Sequence, residues 1–296
     1  MEAAVSLVEN APAKVNLTLR VLGRRADSYH DIESLVAFAD LGDALTFTPG
    51  PALELAVHGP LADQTGAAAE NLVLNAARAL LKRMPNLRLG AFVLDKRLPT
   101  AAGLGSGSAD AAAALRLLAR ANALDAGDRR LVEAARATGA DVPVCLDPRP
   151  RLMRGIGEIL SQPFELPALH AVLVNPGIAL ATKDVFAGWK PPTAPPPSLD
   201  VAAIANGVAA QRIVELLRAQ ANDLEPAAIK LVPAIAEVLG ALQALPGCTF
   251  TRMSGSGPTC FGLFASAGES GRAADVLQQK FPRWWVRACV FGSAGR

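Results

Sequence analysis

Apolar residues recur with a two-residue period at Val15, Leu17, Leu19 and Val21, with Asn16, Thr18 and Arg20 between them, and this alternation predicts a half-buried strand. Further strands are expected at 35–39, 44–48, 53–57 and 89–94. The period then lengthens. Leu72, Leu74, Ala76, Leu80 and Leu81 lie among polar residues between Glu70 and Met84, so a helix is predicted there, with Pro85 as its stop. A second helix is expected to begin near Ser106 or Ser108 and to run through the alanines to about Asn122. A third spans 128–138, with Gly139 as its terminator. Strands near 142–146 and 171–174 follow. The five prolines of Lys190–Ser198 exclude a helix or a central strand. They read as a stiff surface loop, with a segment recognised by proline-binding modules as the alternative. Helices near 200–219 and 226–245, a strand at 248–253, a Gly/Ser loop, a strand at 259–264, a helix at 270–280 and a strand at 284–290 complete the pattern. The first half is strand-rich with a helical crossover. The second half reads α+β, with a ferredoxin-like sheet as the candidate architecture.

Composition narrows the class. At 296 residues the chain has the length of two domains, and the pattern puts the boundary near 155–165, dividing it into 1–158 and 159–296. Hydrophobic residues make up 51% and charged residues 19%, which excludes disorder. Lys plus Arg total 29 against 27 Asp plus Glu, a balance that argues against a partner such as nucleic acid or an anionic membrane surface. No apolar run reaches the roughly 20 residues of a bilayer span. Glu2 and Glu9 stand where a signal peptide would carry a basic region and an apolar run. Cys145, Cys248, Cys260 and Cys289 are far apart, without C-x-x-C or a nearby His, and read as core thiols of a reducing compartment. A soluble cytoplasmic protein of open oligomeric state is expected.

The chemistry concentrates in one segment, Pro99-Thr100-Ala101-Ala102-Gly103-Leu104-Gly105-Ser106-Gly107-Ser108-Ala109, between a predicted strand and a predicted helix start. Glycines at alternate positions expose backbone N–H groups, and the helix start adds unpaired donors and the positive end of its dipole. Together they form a cradle for phosphate, although the same pattern also suits a plain tight turn. No Gly-Lys pair exists for a Walker-type loop, no strict G-x-G-x-x-G occurs, and the H-R-D and D-F-G elements of protein kinases are absent. Lys14, at the start of the first amphipathic strand, and Asp141, in Gly139-Ala-Asp141-Val-Pro143, read in isolation as an edge lysine and a turn former. Placed beside the cradle, they would supply a base for a hydroxyl proton and a charge for a transferring phosphoryl group. The loop Met253-Ser-Gly-Ser-Gly257-Pro258 reads as a hairpin or as a lid on a ligand.

Taken together, Pro12-Ala-Lys14-Val-Asn16-Leu17, the Pro99–Ala112 loop and Met253–Phe264 resemble the three motifs of the superfamily named for galactokinase, homoserine kinase, mevalonate kinase and phosphomevalonate kinase. Arg24-Arg-Ala-Asp-Ser-Tyr29-His30, Asp95-Lys-Arg-Leu-Pro99, Gly155-Ile-Gly-Glu158 and Asn222-Asp-Leu-Glu225 resemble, in order, further segments of its branch that phosphorylates a cytidylated methylerythritol. The resemblance implies an α+β fold with an N-terminal domain of the ribosomal S5 type, containing a left-handed crossover, and a C-terminal ferredoxin-like domain, with the active site in the cleft between them. It implies an ATP-dependent, Mg²⁺-assisted kinase for that small-molecule substrate. Asp141 matches the catalytic aspartate and Lys14 the lysine beside it. Asn16, Tyr29 and His30 match the substrate pocket, and Phe186 stands where an aromatic residue closes the cytosine site. Residues Pro99 through Ala109 match the ATP-phosphate loop, and Asn71 and Lys96 the contacts to the adenine nucleotide. Ser28 replaces the usual Gly before Tyr29, so that turn must avoid a positive φ or tolerate its strain. A kinase for another small alcohol, or a nucleotide-sensing protein without turnover, are the competing readings.

Overall fold

The computed structural model describes residues 5–67, 70–191, 199, 204 and 209–292. Positions 192–198 of the proline-rich stretch and most of the first part of the helix expected at 200–219 lie outside the described residues. The chain forms two compact units: Met1–Ala13, Gly42–Thr100 and Gly105–Pro148 in the first, Lys14–Leu41, Ala101–Leu104 and Arg149–Arg296 in the second. This division differs from a cut at 158/159, because Lys14–Leu41 and Ala101–Leu104 group with the C-terminal half. Two long strands cause it. β1 (Leu7–Asn16) and β3 (His30–Pro49) each begin in one unit and end in the other.

In the first unit, β4 (Glu54–His58) and β5 (Gly90–Asp95) are parallel and are joined through α1 (Leu72–Leu81), while the C-terminal part of β3 runs antiparallel to β5. The helices α2 (Ser106–Ala121), α3 (Arg129–Thr138) and α4 (Val142–Cys145) complete the unit. The alanine run of α2 explains its burial: Ala111 through Ala114 are each 0% exposed, and small side chains let the helix sit deep among its neighbours.

The second unit contains β8 (Leu169–Asn175), β9 (Phe250–Met253), β10 (Cys260–Phe264) and β11 (Trp285–Gly292), all antiparallel. Their spatial order is β11-β8-β10-β9. Numbered along the chain this is 4-1-3-2, with helices between the first and second and between the third and fourth strands, the ferredoxin-like order. The helices are α5 (Thr182–Gly188), α6 (Ala210–Arg218), α7 (Glu225–Leu231), α8 (Ala234–Gln243) and α9 (Ala267–Lys280). The N-terminal part of β3 extends this sheet past β11 and also pairs with β2 (Arg20–Arg24) and β6 (Arg151–Gly155), the latter continued by the short β7 (Ile159–Leu160).

The differences from the pattern-based expectation have identifiable causes. Residues 142–146 form a helical turn instead of a strand. A four-residue apolar run has no period to read, and Pro143, which cannot donate to a ladder, fits the first turn of a helix. The helix expected at 226–245 breaks at Pro233 into α7 and α8. The strands expected at 35–39 and 44–48 are one strand that continues through Gly42. The alternating stretch 15–21 divides between β1 and β2, and its polar positions Asn16 and Thr18 are as buried as its apolar ones. No described helix is long and apolar enough to cross a membrane.

Gly42 shows how tightly β1 and β3 approach. A Cβ there would run into the Ala11 carbonyl oxygen and lie 2.8 Å from Pro12 Cα, both of them backbone atoms that cannot step aside. Gly42→Ala should therefore cost about 1–3 kcal/mol of stability. A lowered urea midpoint with an unchanged slope is the expected result.

Candidate active site

Lys14 and Asn16 are two residues apart on β1 and so share one face of the strand, where the Lys14 ammonium donates to Asn16 Oδ1 at 3.0 Å. Both side chains are buried, at 4% and 2% exposure. The Asn16 amide Nδ2 donates to Ser34 Oγ (2.7 Å), which donates to the Thr18 carbonyl (2.6 Å), so the carboxamide is locked with its oxygen toward Lys14. Ser254 joins the strand to two loops. Its hydroxyl accepts from the Asn16 N–H (3.0 Å) and donates to the Gly103 carbonyl (2.8 Å). The Lys14 N–H donates to the Leu104 carbonyl at 2.9 Å, and the Thr259 N–H to the Ala102 carbonyl at 3.2 Å. Three segments far apart in sequence thus meet on one hydroxyl. The Gly-rich loop 253–258 is the hairpin between β9 and β10, and it also holds the phosphate-type loop.

Glycine is required at this meeting point. Gly103 has φ +75°, and a Cβ on it would collide with the Ser254 carbonyl oxygen and come within 3.0 Å of Gly257 N. At Gly255, φ +57°, a Cβ would lie 3.1 Å from Asn16 Oδ1. The segment Asn222–Glu225 secures the hairpin from the other side. Asn222 Nδ2 donates to the Met253 and Gly255 carbonyls, each at 2.8 Å, and Glu225 accepts from the Met253 N–H at 2.9 Å. Arg252, buried beside them, donates to the carbonyls of Leu17, Leu217 and Gln220; burial depresses its pKa to about 10.

The loop enters α2 through Gly105, φ +58°, which occupies the N-cap position without a side chain to occupy the first-turn N–H groups. Ser106 Oγ donates to the Pro99 carbonyl at 3.0 Å and closes the loop on itself. Ser108 remains half-exposed. Ala101, at φ +48°, carries left-handed strain. Thr100 is tied to Gln64 through its N–H and its hydroxyl. Asn71 caps α1, its Oδ1 accepting from the Val73 N–H at 3.0 Å.

Lys96 is placed differently from what a nucleotide contact requires. It is 1% exposed, and its ammonium donates to Asp43 Oδ2 (2.6 Å) and Asp110 Oδ2 (2.7 Å). Burial alone would lower its pKa, but the two carboxylates outweigh burial and raise it. Its place is inside the first unit, bracing the lead into the loop against α2 and β3.

Asp141 begins α4 and is half-buried. Arg116 fixes the other end of that turn by donating to the Cys145 carbonyl (2.6 Å) while its Nε reaches Glu9 (2.9 Å). Lys14 belongs to the second unit and Asp141 to the first.

The second unit also brings His30 and Phe186 together, stacked at 4.9 Å between ring centroids and 25° between planes. Trp189, which the sequence reading did not single out, packs edge-on against His30 at 5.7 Å. Burial, with Arg24 nearby, lowers the His30 pKa and favours the neutral ring. Tyr29 is 58% exposed and is therefore not a core residue. Ser28 before it takes φ +71°, so the turn tolerates the strain that a glycine would avoid.

The class of protein, a small-molecule kinase of the GHMP class, is shown by its family models. The GHMP kinases N terminal domain matches residues 71–147 and the GHMP kinases C terminal domain residues 203–283. A Rhodopseudomonas palustris protein named 4-diphosphocytidyl-2-C-methyl-D-erythritol kinase is 52% identical over 303 residues, covering 96% of this chain and 97% of its own. Its namesake from Bradyrhizobium diazoefficiens is 50% identical over 297 residues, covering 97% and 99%. The crystal structure of a 4-(cytidine 5'-diphospho)-2C-methyl-D-erythritol kinase superposes with a TM-score of 0.77 at 36% identity, covering 97% of this chain and 99% of that one. Homoserine kinase from Cytophaga hutchinsonii shares the fold, with a TM-score of 0.71 at 21% identity. The chain belongs to the 4-diphosphocytidyl-2-C-methyl-D-erythritol kinase family.

Replacing Lys96 separates bracing from nucleotide contact. Lys96→Met leaves two buried carboxylates without their cation and should cost about 3–5 kcal/mol. A large drop in melting temperature is expected; a raised KM for ATP at unchanged melting temperature would instead mark a surface contact.

Proposed function

We propose that the enzyme transfers the γ-phosphoryl group of ATP to the 2-hydroxyl of 4-diphosphocytidyl-2-C-methyl-D-erythritol, a step of the non-mevalonate route to isoprenoid precursors. The observation that carries this reading is the junction at Ser254, whose hydroxyl ties Asn16, the partner of Lys14, to Gly103, in a chain aligned almost end to end with kinases of that name. Phosphoryl transfer leaves little covalent chemistry to the protein, so positioning and electrostatics are what the site must supply.

In this mechanism Asp141 accepts the proton of the attacking hydroxyl, and Lys14, oriented by Asn16, compensates charge around the transferring group. The loop Pro99–Ala109 binds the ATP phosphates through its backbone N–H groups and the start of α2. Ser106 spends its hydroxyl proton on the Pro99 carbonyl, which leaves Ser108 to donate to the nucleotide. Asn71, capping α1, borders the adenine side. Mg²⁺ would reach this site on the ATP phosphates, with most of its ligands drawn from phosphate and water. Bound there, Mg²⁺ would neutralise phosphate charge. Tyr29, neutral His30 and Phe186 receive the cytosine ring, a role suited to flat polarisable faces. The four free cysteines support a cytoplasmic setting.

Two substitutions test the roles. Asp141→Asn cannot accept a proton, so kcat should fall by about 10²–10⁴ while ATP affinity changes little. Near wild-type turnover would overturn the base assignment. Tyr29→Ala should raise KM for the cytidylated substrate by roughly 5- to 150-fold, the equivalent of about 1–3 kcal/mol of stacking, and leave KM for ATP and the melting temperature in place. Homoserine and mevalonate serve as control acceptors, and turnover of either in preference to the cytidylated alcohol would reassign the substrate.

A further inference from the structure

The cluster beneath the phosphate loop has two carboxylates for one ammonium. Asp43, Lys96 and Asp110 are all buried, at 1%, 1% and 2% exposure. With every group ionised the cluster would carry one uncompensated negative charge in the interior, an arrangement that burial makes costly. The two carboxylates are not equivalent. Asp43 accepts three hydrogen bonds: from Lys96 Nζ (2.6 Å) through Oδ2, and from the N–H groups of Arg97 (2.6 Å) and Leu98 (2.8 Å) through Oδ1. Asp110 accepts one, from Lys96 (2.7 Å), and its Oδ1 is buried without a donor. The negative charge therefore belongs on Asp43, and a proton on Asp110 makes the cluster neutral. Asp110 lies in α2, two residues beyond Ser108 and little more than one turn from the helix start that receives the phosphates.

We propose that Asp110 is a positioning residue that holds a proton when the nucleotide binds, and that losing this proton weakens the hold of the helix start on the ATP phosphates. The inference rests on the kinase reading of the loop. The physical link is direct. A carboxylate charge in the poorly screened interior near the N-terminal turn of α2 opposes the positive dipole end that attracts phosphate, whereas the neutral acid does not. The charged neighbours of Asp110 act in the same balance: burial pushes its pKa up, Lys96 pulls it down, and Asp43 pushes it up again, leaving it at about 8. Phosphate binding favours the protonated form, so ATP binding takes up a proton near that pH. By reciprocity, ATP affinity falls as pH rises through it.

The test uses the full chain and Mg-bound non-hydrolysable ATP, titrated by calorimetry at about pH 8 in two buffers of different ionisation enthalpy. Wild type should take up about 0.4 of a proton on binding, and its Kd should rise about fivefold between roughly pH 7 and 9, towards a tenfold limit at higher pH, equivalent to one unit of pKa coupling. Asp110→Asn, which mimics the protonated acid in shape, should bind without proton uptake and with a flat pH profile. Equal uptake in Asp110→Asn, or nucleotide binding by wild type without uptake, would overturn the proposal while leaving the kinase reading intact. Absence of nucleotide binding by wild type at any pH would bring down both. Should Asp110→Asn fail to fold, the wild-type infrared spectrum decides alone: a buried carboxylic acid band at neutral pH that vanishes above about pH 9 and shifts when nucleotide binds is expected, and a spectrum without it refutes the proposal.

Discussion

The site depends on one hydroxyl. Ser254 Oγ accepts from the backbone of the strand that carries Lys14 and Asn16, and donates to the backbone of the loop that carries Gly103. The Ser254 side chain is buried, where a lost partner leaves a polar group with little water to replace it. The backbones can come this close because Gly103 and Gly255 lack side chains and adopt positive φ. Since phosphoryl transfer relies on alignment, a rigid junction of this kind is the principal means by which the fold serves the chemistry. Asn222, Glu225 and Arg252 extend the same logic outward. Asn222 and Glu225 bond backbone groups of the hairpin, and Arg252 those of Leu17, Leu217 and Gln220, so that the loop and its surroundings are held together by side chains from outside the loop.

The aromatic cluster proposed to receive the substrate is built separately from this junction. His30 begins β3 and Phe186 lies on α5, and their stacking, with Trp189 against the imidazole edge, assembles a set of flat surfaces from segments distant in sequence. Under this proposal chemistry and specificity rest on different residues.

Much of this was legible in the sequence because loop chemistry is local. The Gly-rich run before an alanine helix, the strand with Lys14 and Asn16, and the terminator before Asp141 each follow from a few adjacent residues, and the ferredoxin-like order was foreseeable from element spacing. What was not legible is tertiary. Lys96 matches a contact to the adenine nucleotide by sequence, and only the fold shows Asp43 and Asp110, 53 and 14 residues away, surrounding it. Trp189 carries no local signal beyond being aromatic. The turn at 142–145 was missed because four apolar residues fit either period, and β6 because Arg151, Arg154 and Gly155 interrupt the alternation expected of a strand.

The alternation at Val15–Val21 illustrates the deeper reason that a sequence pattern can be read correctly and still mislead. Polar residues at every second position ordinarily mean one face in water. Here Asn16 and Thr18 are 2% and 3% exposed, and the second face is covered as fully as the first. The polar face is retained because each of its groups has an assigned partner: Asn16 with Lys14, Ser34 and Ser254, and Thr18 with the Leu35 N–H and Ser34. A buried polar face of this kind contributes little net stability, since its hydrogen bonds mainly replace those lost to water. What it confers is a single orientation for each side chain, which an apolar face could not supply. Asp110 Oδ1 departs from that rule, being buried in the same chain without a donor. The proton proposed for Asp110 would remove the charge from that carboxyl group, and a proton is a partner that can leave when conditions change.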